Sequence, residues 1–253
     1  MAKDFKCNTV FLELSNLNGK LFADPQGVNA LSSIAYNDRK LSSLDPIGEE
    51  KHQEWIYKYK KFKEKPIPQS KNNKVDQLES VLNRCLKFVF KGVGLRTISG
   101  KELINKSVNL LDGLEYDQVG TKDKFVFLPL QVSTDTQLKL HSDYNNIRAI
   151  EYSALKANES GVDLVIKLHP AENNQDEIKK IIDLKSALGF KISNQNTIDL
   201  IKNSNLVITI NSTVGLEALI FNKELVVLGR ALYKSFNQDL LKKYIHRYLI
   251  DEV

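Results

Sequence analysis

The sequence is poor in cysteine, methionine and tryptophan, and it lacks any long apolar run. It contains two cysteines, one methionine and one tryptophan among 253 residues. Cys7 and Cys85 have neither a CxxC spacing nor a neighbouring histidine pair, which argues against both a disulfide framework and a zinc site. The longest apolar runs, such as residues 125–130, fall far short of the roughly 20 residues of a bilayer-spanning helix. We therefore expect no membrane-spanning helix.

The amino terminus also lacks the pattern of a secretory signal peptide, because residues 1–7 contain no apolar core ahead of a small-residue cleavage site. We therefore expect a cytoplasmic protein. The charge is only mildly basic, with 36 Lys and Arg against 31 Asp and Glu and a formal net charge of +5. Lysine-rich stretches such as 58–65 indicate a solvated helix face rather than a nucleic-acid groove. A mild preference for anionic partners remains, such as nucleotide-sugar phosphates or an anionic membrane surface.

The chain divides near residue 121 into two parts with different patterns. From residue 125 onward, short apolar runs alternate with helical patterns. The predicted strands are 125–130, 163–168, 190–192, 206–210 and 225–228, and the predicted helices are 143–159, 176–188, 197–203 and 214–221. This alternation indicates βαβ units and a parallel sheet with helices on both faces. Residues 121–253 are therefore predicted to form a Rossmann-like α/β domain.

Residues 1–120 are poorer in strand patterns. Residues 9–14 are predicted to be a strand, and 86–90 are either a second strand or the end of a helix that begins near residue 75. A turn-rich stretch covers 16–27, a charged helical stretch covers 49–63, and 65–74 form a loop. Such a part is either a helical module or the tail of a larger domain.

Polar residues follow the predicted strands where each strand ends, which is where open parallel sheets place their ligands. Gln131 and Asp135 follow the first strand, and Lys167 and His169 end the second. Because side chains alternate along a strand, Lys167 and His169 point to the same side and are able to meet one anion. Taken alone, His169 is interpreted as a hydrogen-bonded structural residue at a strand end. Asp135 is either a turn or cap residue or a carboxylate that faces the reacting carbon.

The strand at 206–210 is followed by the start of a helix. Ser212 or Thr213 is well suited to cap that helix, and the same geometry presents backbone N–H groups and a positive dipole end to an anion. Gly215 permits close approach of a ligand or of the neighbouring strand. Glu217 is either an exposed helix residue or a ligand of ribose hydroxyls. The sequence contains no GxGxxG or GxxxxGK[ST] motif, so neither a nicotinamide dehydrogenase nor a P-loop ATPase is supported.

In combination, these motifs resemble the KpsS/KpsC-type capsule polysaccharide biosynthesis family. The resemblance rests on residues 131–135, 167–170 and 211–218, and on the early segments 11–17 and 24–30. It covers most of 9–35 and 125–235. Characterised members are β-Kdo glycosyltransferases of GT-B architecture that use CMP-Kdo as donor.

The resemblance implies an α/β, GT-B-like fold with a partial, helix-rich acceptor-side domain at 1–120 and a Rossmann-like CMP-sugar donor domain at 121–253. It implies retaining transfer of Kdo, or a related ulosonic acid, during capsule or surface polysaccharide biosynthesis. The implied partners are a glycan or lipid-linked acceptor, the inner membrane surface and other capsule-assembly proteins. No nucleic-acid partner is expected. No cofactor is expected, because the CMP-sugar is the donor substrate, and no metal is obligatory, because CMP leaves readily once its charge is neutralised.

The resemblance also assigns roles to residues. Asp135 would be the nucleophile of a double displacement, and Glu13 would be an acid/base residue. Lys167 and His169 would bind the CMP phosphate, and Glu217 would hold the ribose or base. The full donor-binding set is Gln131, Lys167, His169, Ser212, Thr213, Gly215 and Glu217.

Two other functions remain open at this point. Family members are usually longer, with a full amino-terminal domain ahead of the Glu13 segment, so the chain is alternatively an inactive nucleotide-sugar-binding or assembly subunit. A UDP-sugar epimerase-like enzyme is the third hypothesis, since such enzymes also place phosphate at helix starts.

Overall fold

The computed structural model describes residues 7–15, 17–35, 37–64, 111 and 113–251. The predictions for Cys85, for the loop at 65–74 and for the segment 75–90 lie outside the described residues. Within the described part, the chain forms a five-stranded parallel sheet and a three-stranded antiparallel sheet.

The strands and helices have the following bounds. The strands are β1 (Phe11–Leu14), β2 (Lys20–Asp24), β3 (Phe125–Pro129), β4 (Asp163–Lys167), β5 (Lys191–Ile192), β6 (Leu206–Thr209), β7 (Glu224–Val227) and β8 (Ile250–Asp251). The α-helices are α1 (Arg39–Ser42), α2 (Glu49–Glu64), α3 (Thr136–Leu140), α4 (Asn146–Glu159), α5 (Gln175–Leu188), α6 (Thr197–Asn203), α7 (Thr213–Ile220) and α8 (Gln238–Lys243). A 3₁₀ turn covers Asn29–Leu31, and a π-helix covers Tyr244–Tyr248.

The parallel sheet has the strand order β5-β4-β3-β6-β7. The chain first builds outward from β3 through β4 to β5, and it then returns to the other side of β3 for β6 and β7. The order therefore reverses between β3 and β6, which are paired in parallel with Phe127 opposite Val207. A ligand of an open α/β sheet binds at such a reversal, outside the carboxyl ends of the strands.

The core explains why β3 is apolar at every position. Alternate residues enter opposite faces of the sheet. Val126 and Leu128 pack in one cluster with Ile150 of α4 and Ile181 of α5. Phe125 and Phe127 pack in another cluster on the opposite face, together with residues of α6 and α7. All five residues of β3 are buried, so it is the central strand of a sheet that is covered on both faces.

The predicted α/β class is confirmed, and each strand and helix predicted between residues 125 and 228 is present. The expectation for residues 16–27 was incomplete, because this stretch contains β2 between its turns. Strand β2 pairs with β1 on one side and with β8 on the other, and its Phe22 is buried. The five residues of β2 stand between turn residues on both sides, and the turn residues dominate the local pattern.

Residues of the amino-terminal segment share a hydrophobic core with the carboxyl-terminal helices. Phe22, Ile34 and Ile56 belong to one buried cluster with Leu216 of α7 and Tyr244 of the π-helix. The segment thus packs against the α7–α8 side of the sheet. The division near residue 121 and the acceptor-side role of residues 1–120 stay predictions. None of the helices in the described part of the chain is both long enough and apolar enough to cross a membrane.

Candidate functional site

A polar cavity of about 320 Å³ lies at the carboxyl edge of the parallel sheet. It is lined by residues that follow β3, β4, β6 and β7 and by two residues of the amino-terminal segment: Glu13, Asn29, Gln131, Val132, Asp135, Gln137, His169, Asn211, Ser212, Thr213, Arg230, Ala231, Leu232 and Tyr233. The cavity therefore occupies the position that the strand order predicts for a ligand.

A reciprocal amide pair spans the reversal between β3 and β6. The Nε2 of Gln131 donates to Oδ1 of Asn211 at 2.8 Å, and the backbone N–H of Asn211 donates to Oε1 of Gln131 at 3.1 Å. Asn146 supports the same point, because its Nδ2 donates to the carbonyl of Gln131 at 2.9 Å. Gln131 is buried. Its side chain therefore holds the two strand ends together at the floor of the cavity.

Asp135 caps helix α3, as one interpretation of the sequence predicted. Its Oδ1 accepts the backbone N–H of Gln137 at 2.8 Å. A carboxylate has two oxygens, and the cap uses only one of them. Since Asp135 also lines the cavity, the capping role leaves Oδ2 for a ligand.

Glu172, which the sequence analysis did not consider, fixes the loop that carries Asp135. Its Oε2 accepts the backbone N–H of Ser133 at 2.6 Å, and its Oε1 accepts the hydroxyl of Ser133 at 3.1 Å. Oε1 also accepts the backbone N–H groups of Asn173 and Asn174, each at 2.9 Å. Glu172 is 4% exposed. This buried carboxylate ties the loop after β3 to the loop after β4, and its position three residues after His169 was the available sequence signal.

His169 lines the cavity with one tautomer favoured. Its Nδ1 accepts the backbone N–H of Ala171 at 3.1 Å. An imidazole nitrogen that accepts a hydrogen bond carries no proton, so a neutral His169 has its proton on Nε2. The ring then offers one N–H donor to a ligand.

The start of α7 is held in place from β7's side of the sheet. Ser212 caps the helix, because its Oγ accepts the backbone N–H of Val214 at 3.3 Å. The hydroxyl of buried Tyr233 donates to the carbonyl of Ser212. A Cβ on Gly215 would lie 2.6 Å from the Tyr233 ring, so the close approach at Gly215 is made to this side chain, which is neither of the two partners that the sequence predicted, a ligand or the neighbouring strand. The tyrosine thereby fixes the helix end that faces the cavity.

The amino-terminal segment contributes Glu13 from the exposed strand β1 and Asn29 from the 3₁₀ turn. Asn29 has a φ of 49°, a left-handed conformation that asparagine tolerates better than most residues. The turn follows Asp24, whose carboxylate accepts hydrogen bonds from Ser33 and Tyr248. Burial alone would raise the pKa of Asp24, but the bonds from Ser33, Tyr248 and the backbone N–H of Gln26 outweigh it and lower the pKa to about 2.

The structure does not bring every predicted residue to the cavity. The Lys167 ammonium donates to the backbone carbonyls of Asn194 and Gln195, and burial lowers its pKa. Glu217 forms an ion pair of 2.6 Å with Lys63 and accepts the hydroxyl of Tyr59 at 3.1 Å. Burial first, and then the charge of Glu217, raise the pKa of Tyr59. Donor-binding roles for Lys167 and Glu217 stay predictions that these contacts do not favour.

Six of the predicted residues do meet at the cavity: Glu13, Gln131, Asp135, His169, Ser212 and Thr213. The residues that the sequence analysis missed there are Arg230, Tyr233, Asn29 and Asn211. Arg230 follows the end of β7 by three residues, so the rule that strand ends carry ligand-binding residues would have identified it. Among the described residues, no group of three or more His, Cys, Asp and Glu side chains is arranged to hold a metal ion.

The chain is similar in sequence to proteins named for capsule polysaccharide export or modification and to protein FixF. The chain is 30% identical over 160 residues to the capsule polysaccharide export protein KpsS of Escherichia coli, covering 59% of this chain and 39% of that protein. It is 34% identical over 170 residues to protein FixF of Sinorhizobium fredii, covering 62% and 38%. It is 30% identical over 127 residues to the capsule polysaccharide modification protein LipB of Neisseria meningitidis, covering 46% and 30%. The chain thus spans less than two-fifths of the length of these relatives.

Among solved structures, the chain is similar to KpsC of Thermosulfurimonas dismutans, a beta Kdo 2,7 transferase. The TM-score is 0.53 at 16% identity, over 99% of this chain and 75% of that chain. At this identity the likeness concerns the fold, and it supports the α/β, GT-B-like class predicted from the sequence. The family profile described as capsule polysaccharide biosynthesis protein matches residues 68–237. This match covers more than half of the chain, which therefore belongs to the capsule polysaccharide biosynthesis protein family.

Proposed function

We propose that the protein is a retaining glycosyltransferase that moves Kdo, or a related ulosonic acid, from a CMP-activated donor during capsule or surface polysaccharide biosynthesis. The observation that carries the proposal is the meeting of Asp135, His169, Ser212 and Thr213 in one cavity at the reversal of the strand order. A carboxylate can act on the anomeric carbon or on a proton, and an N–H donor and a helix start stabilise the charge of a departing phosphate.

The CMP phosphate binds at the start of α7. The first turn of a helix has backbone N–H groups without intrahelical partners and a partial positive charge of about half an elementary unit. The Thr213 hydroxyl adds a donor. The Nε2–H of His169 adds another from the end of β4, which lies two strands from β6 in the sheet order. Hydrogen bonds to the phosphate oxygens stabilise the charge that develops as CMP leaves, which lowers the barrier to transfer.

Asp135 is the nucleophile of the first step. Its Oδ2 forms a bond to the anomeric carbon while the bond from that carbon to the phosphate oxygen breaks, and CMP leaves with the electron pair. In the second step the acceptor hydroxyl attacks the same carbon, and the bond from that carbon to Asp135 breaks. The proton of the acceptor hydroxyl passes to the carboxylate of Glu13. Two displacements at one carbon retain its configuration. Glu13 enters from β1, so the proposal assigns the acid/base residue to the amino-terminal segment.

A second candidate is a nucleotide-sugar-binding or assembly subunit of the same pathway without turnover. The contacts of Glu217 favour it, because this carboxylate is bound to Tyr59 and Lys63 instead of facing the cavity. Under this alternative, the protein binds CMP but has no transferase activity.

The deciding experiment is a turnover assay with the purified 253-residue chain, CMP-Kdo and glycan or lipid-linked acceptors, measured by release of CMP. The wild type is expected to turn over, and Asp135→Asn is expected to lose at least about 100-fold in rate with little change in CMP affinity, because the amide is a poor nucleophile but still caps α3. Asp183→Asn on the exposed side of α5 is the matched control and should retain the wild-type rate.

Two results would contradict the proposal. CMP binding without any CMP release would favour the non-catalytic subunit. Substantial residual transfer by Asp135→Asn would remove Asp135 from the nucleophile role.

A further inference from the structure

Arg230 is the one permanently charged cation among the described residues that line the cavity. It follows β7, and its backbone N–H donates to the carbonyl of His141 at 2.8 Å. Its Nη2 donates to the carbonyl of Leu140 at 2.7 Å. No ion pair within the described part of the chain includes Arg230, although Asp135 and Glu13 line the same cavity.

The charge of the proposed donor exceeds what the start of α7 neutralises. The phosphodiester of a CMP-activated sugar carries one negative charge, and a ulosonic acid carries a second on its carboxylate. The helix start supplies about half an elementary charge, and His169 supplies an N–H donor. Lys167, which the sequence predicted as the cation of this site, is engaged by carbonyls elsewhere.

Arg230 and His169 approach the cavity from opposite sides. Their strands, β7 and β4, are three positions apart in the sheet order. At ~4.8 Å between neighbouring strands, the two strand ends are about 14 Å apart. The phosphate site at the α7 start lies between them, because α7 follows β6. A ligand with two anionic groups fits this arrangement better than a ligand with one, since His169 then meets the phosphate and Arg230 meets the second acidic group.

We propose that Arg230 binds the carboxylate of the donor sugar and so selects nucleotide-activated sugar acids over nucleotide-activated neutral sugars; this inference rests on the proposed function. A guanidinium presents parallel N–H groups that match a carboxylate in a bidentate pair, and the bond to Leu140 holds Arg230 in position for it. The contact orients the anomeric carbon, which bears the carboxylate, toward Asp135.

The competing interpretation is that Arg230 only stabilises the end of α3 through the carbonyl of Leu140. Arg230→Gln separates the two roles, because the glutamine amide still has an N–H donor for that carbonyl but no charge and no fork. Arg148→Gln is the matched control. Arg148 is also exposed, and its Nη1 also donates to a backbone carbonyl, that of Asp143 at 2.9 Å, but it lies outside the cavity.

The experiment measures dissociation constants of CMP and of CMP-Kdo for the wild type, Arg230→Gln and Arg148→Gln, with thermal melting of each variant. We expect Arg230→Gln to weaken CMP-Kdo binding about tenfold, the size expected for one charge-assisted pair, while CMP binding changes less than about twofold. Arg148→Gln should bind both ligands as the wild type does.

Three results would overturn the inference. An equal loss for CMP and CMP-Kdo would place Arg230 on the phosphate. Unchanged binding of both ligands would leave it with the helix-end role alone. A wild type that binds CMP-Kdo no more tightly than CMP would show that no group in the site recognises the sugar acid. A wild type that binds neither ligand would instead refute the proposed function itself.

Discussion

The two sheets of the molecule are held in different ways. Strand β3 of the parallel sheet is buried at all five positions, between apolar clusters on both faces. Strand β1 of the antiparallel sheet is exposed at all four positions. This sheet is anchored by β2, whose Asp24 accepts hydrogen bonds from the hydroxyls of Ser33 and Tyr248. The cavity lies where the two regions meet, with Asp135 and His169 from one and Glu13 from the other.

This difference teaches which part of the site is rigid. Residues at the ends of buried parallel strands are positioned by the core, by the Gln131–Asn211 pair and by buried Glu172. In the described part of the chain, Glu13 is positioned by the pairing of β1 with β2, where it lies opposite Phe22. We therefore expect the donor side of the site to depend on apolar packing together with buried hydrogen bonds, and the Glu13 side to depend on strand pairing and, through Asp24, on pH.

The largest expected effect is that of Phe127→Ala in β3. Phe127 is fully buried, and removal of a buried phenyl ring costs about 3 to 5 kcal/mol, because contacts are lost and a cavity is left. The free energy of unfolding is measured by urea denaturation.

The matched control is Phe11→Ala in β1, where the ring is 43% exposed. Here we expect a loss of about 1 kcal/mol, since only part of the ring is removed from water. Equal losses for the two substitutions would show that the two regions do not differ in the way described.

A smaller effect, dependent on pH, is expected for Asp24→Asn. The pKa of Asp24 is lowered from its ordinary 3.8 to about 2 in the folded state. A carboxyl group with a depressed pKa stabilises the fold above its unfolded pKa, and this contribution is lost as the pH falls through the folded pKa. It amounts to about 2 kcal/mol at pH 7 and to about half of that near pH 3.

The measurement is the free energy of unfolding of wild type and Asp24→Asn at pH 6, 4 and 3. The difference between the two proteins should shrink by about 1 kcal/mol at the lowest pH. A difference that stays constant with pH would mean that the hydrogen bonds from Ser33 and Tyr248 do not lower the pKa of Asp24 in the folded state.

The same contrast explains what the sequence was able to predict. Strands β3, β4, β6 and β7 each contain an unbroken run of at least three apolar residues, as expected where both faces of a sheet are covered. The helices between them begin at capping residues such as Asn174 and Asn196, so a local pattern locates these elements. Strand β2 lies among turn residues and pairs with β1 and with β8, of which β8 is more than 200 residues away along the chain, and α3 is only one turn long. Neither leaves a clear local pattern.

For the site, a strand-end position predicts which residues are near a ligand, but it does not predict which way a long side chain turns. His169 is short and stays at the cavity, whereas the Lys167 ammonium reaches the carbonyls of Asn194 and Gln195. Glu217 lies one turn into α7, where α2 supplies Lys63 and Tyr59 as partners. The contacts of such residues depend on segments distant in the sequence.

The most direct test of the central claim, that the reversal between β3 and β6 binds the phosphate of CMP, is calorimetric titration of CMP into the wild type and into His169→Asn. Asparagine retains an oxygen that accepts the N–H of Ala171 but lacks the Nε2–H donor. We predict that the wild type binds CMP and that His169→Asn binds it about tenfold more weakly with an unchanged melting temperature. Unchanged affinity, or no CMP binding by the wild type, would contradict the claim.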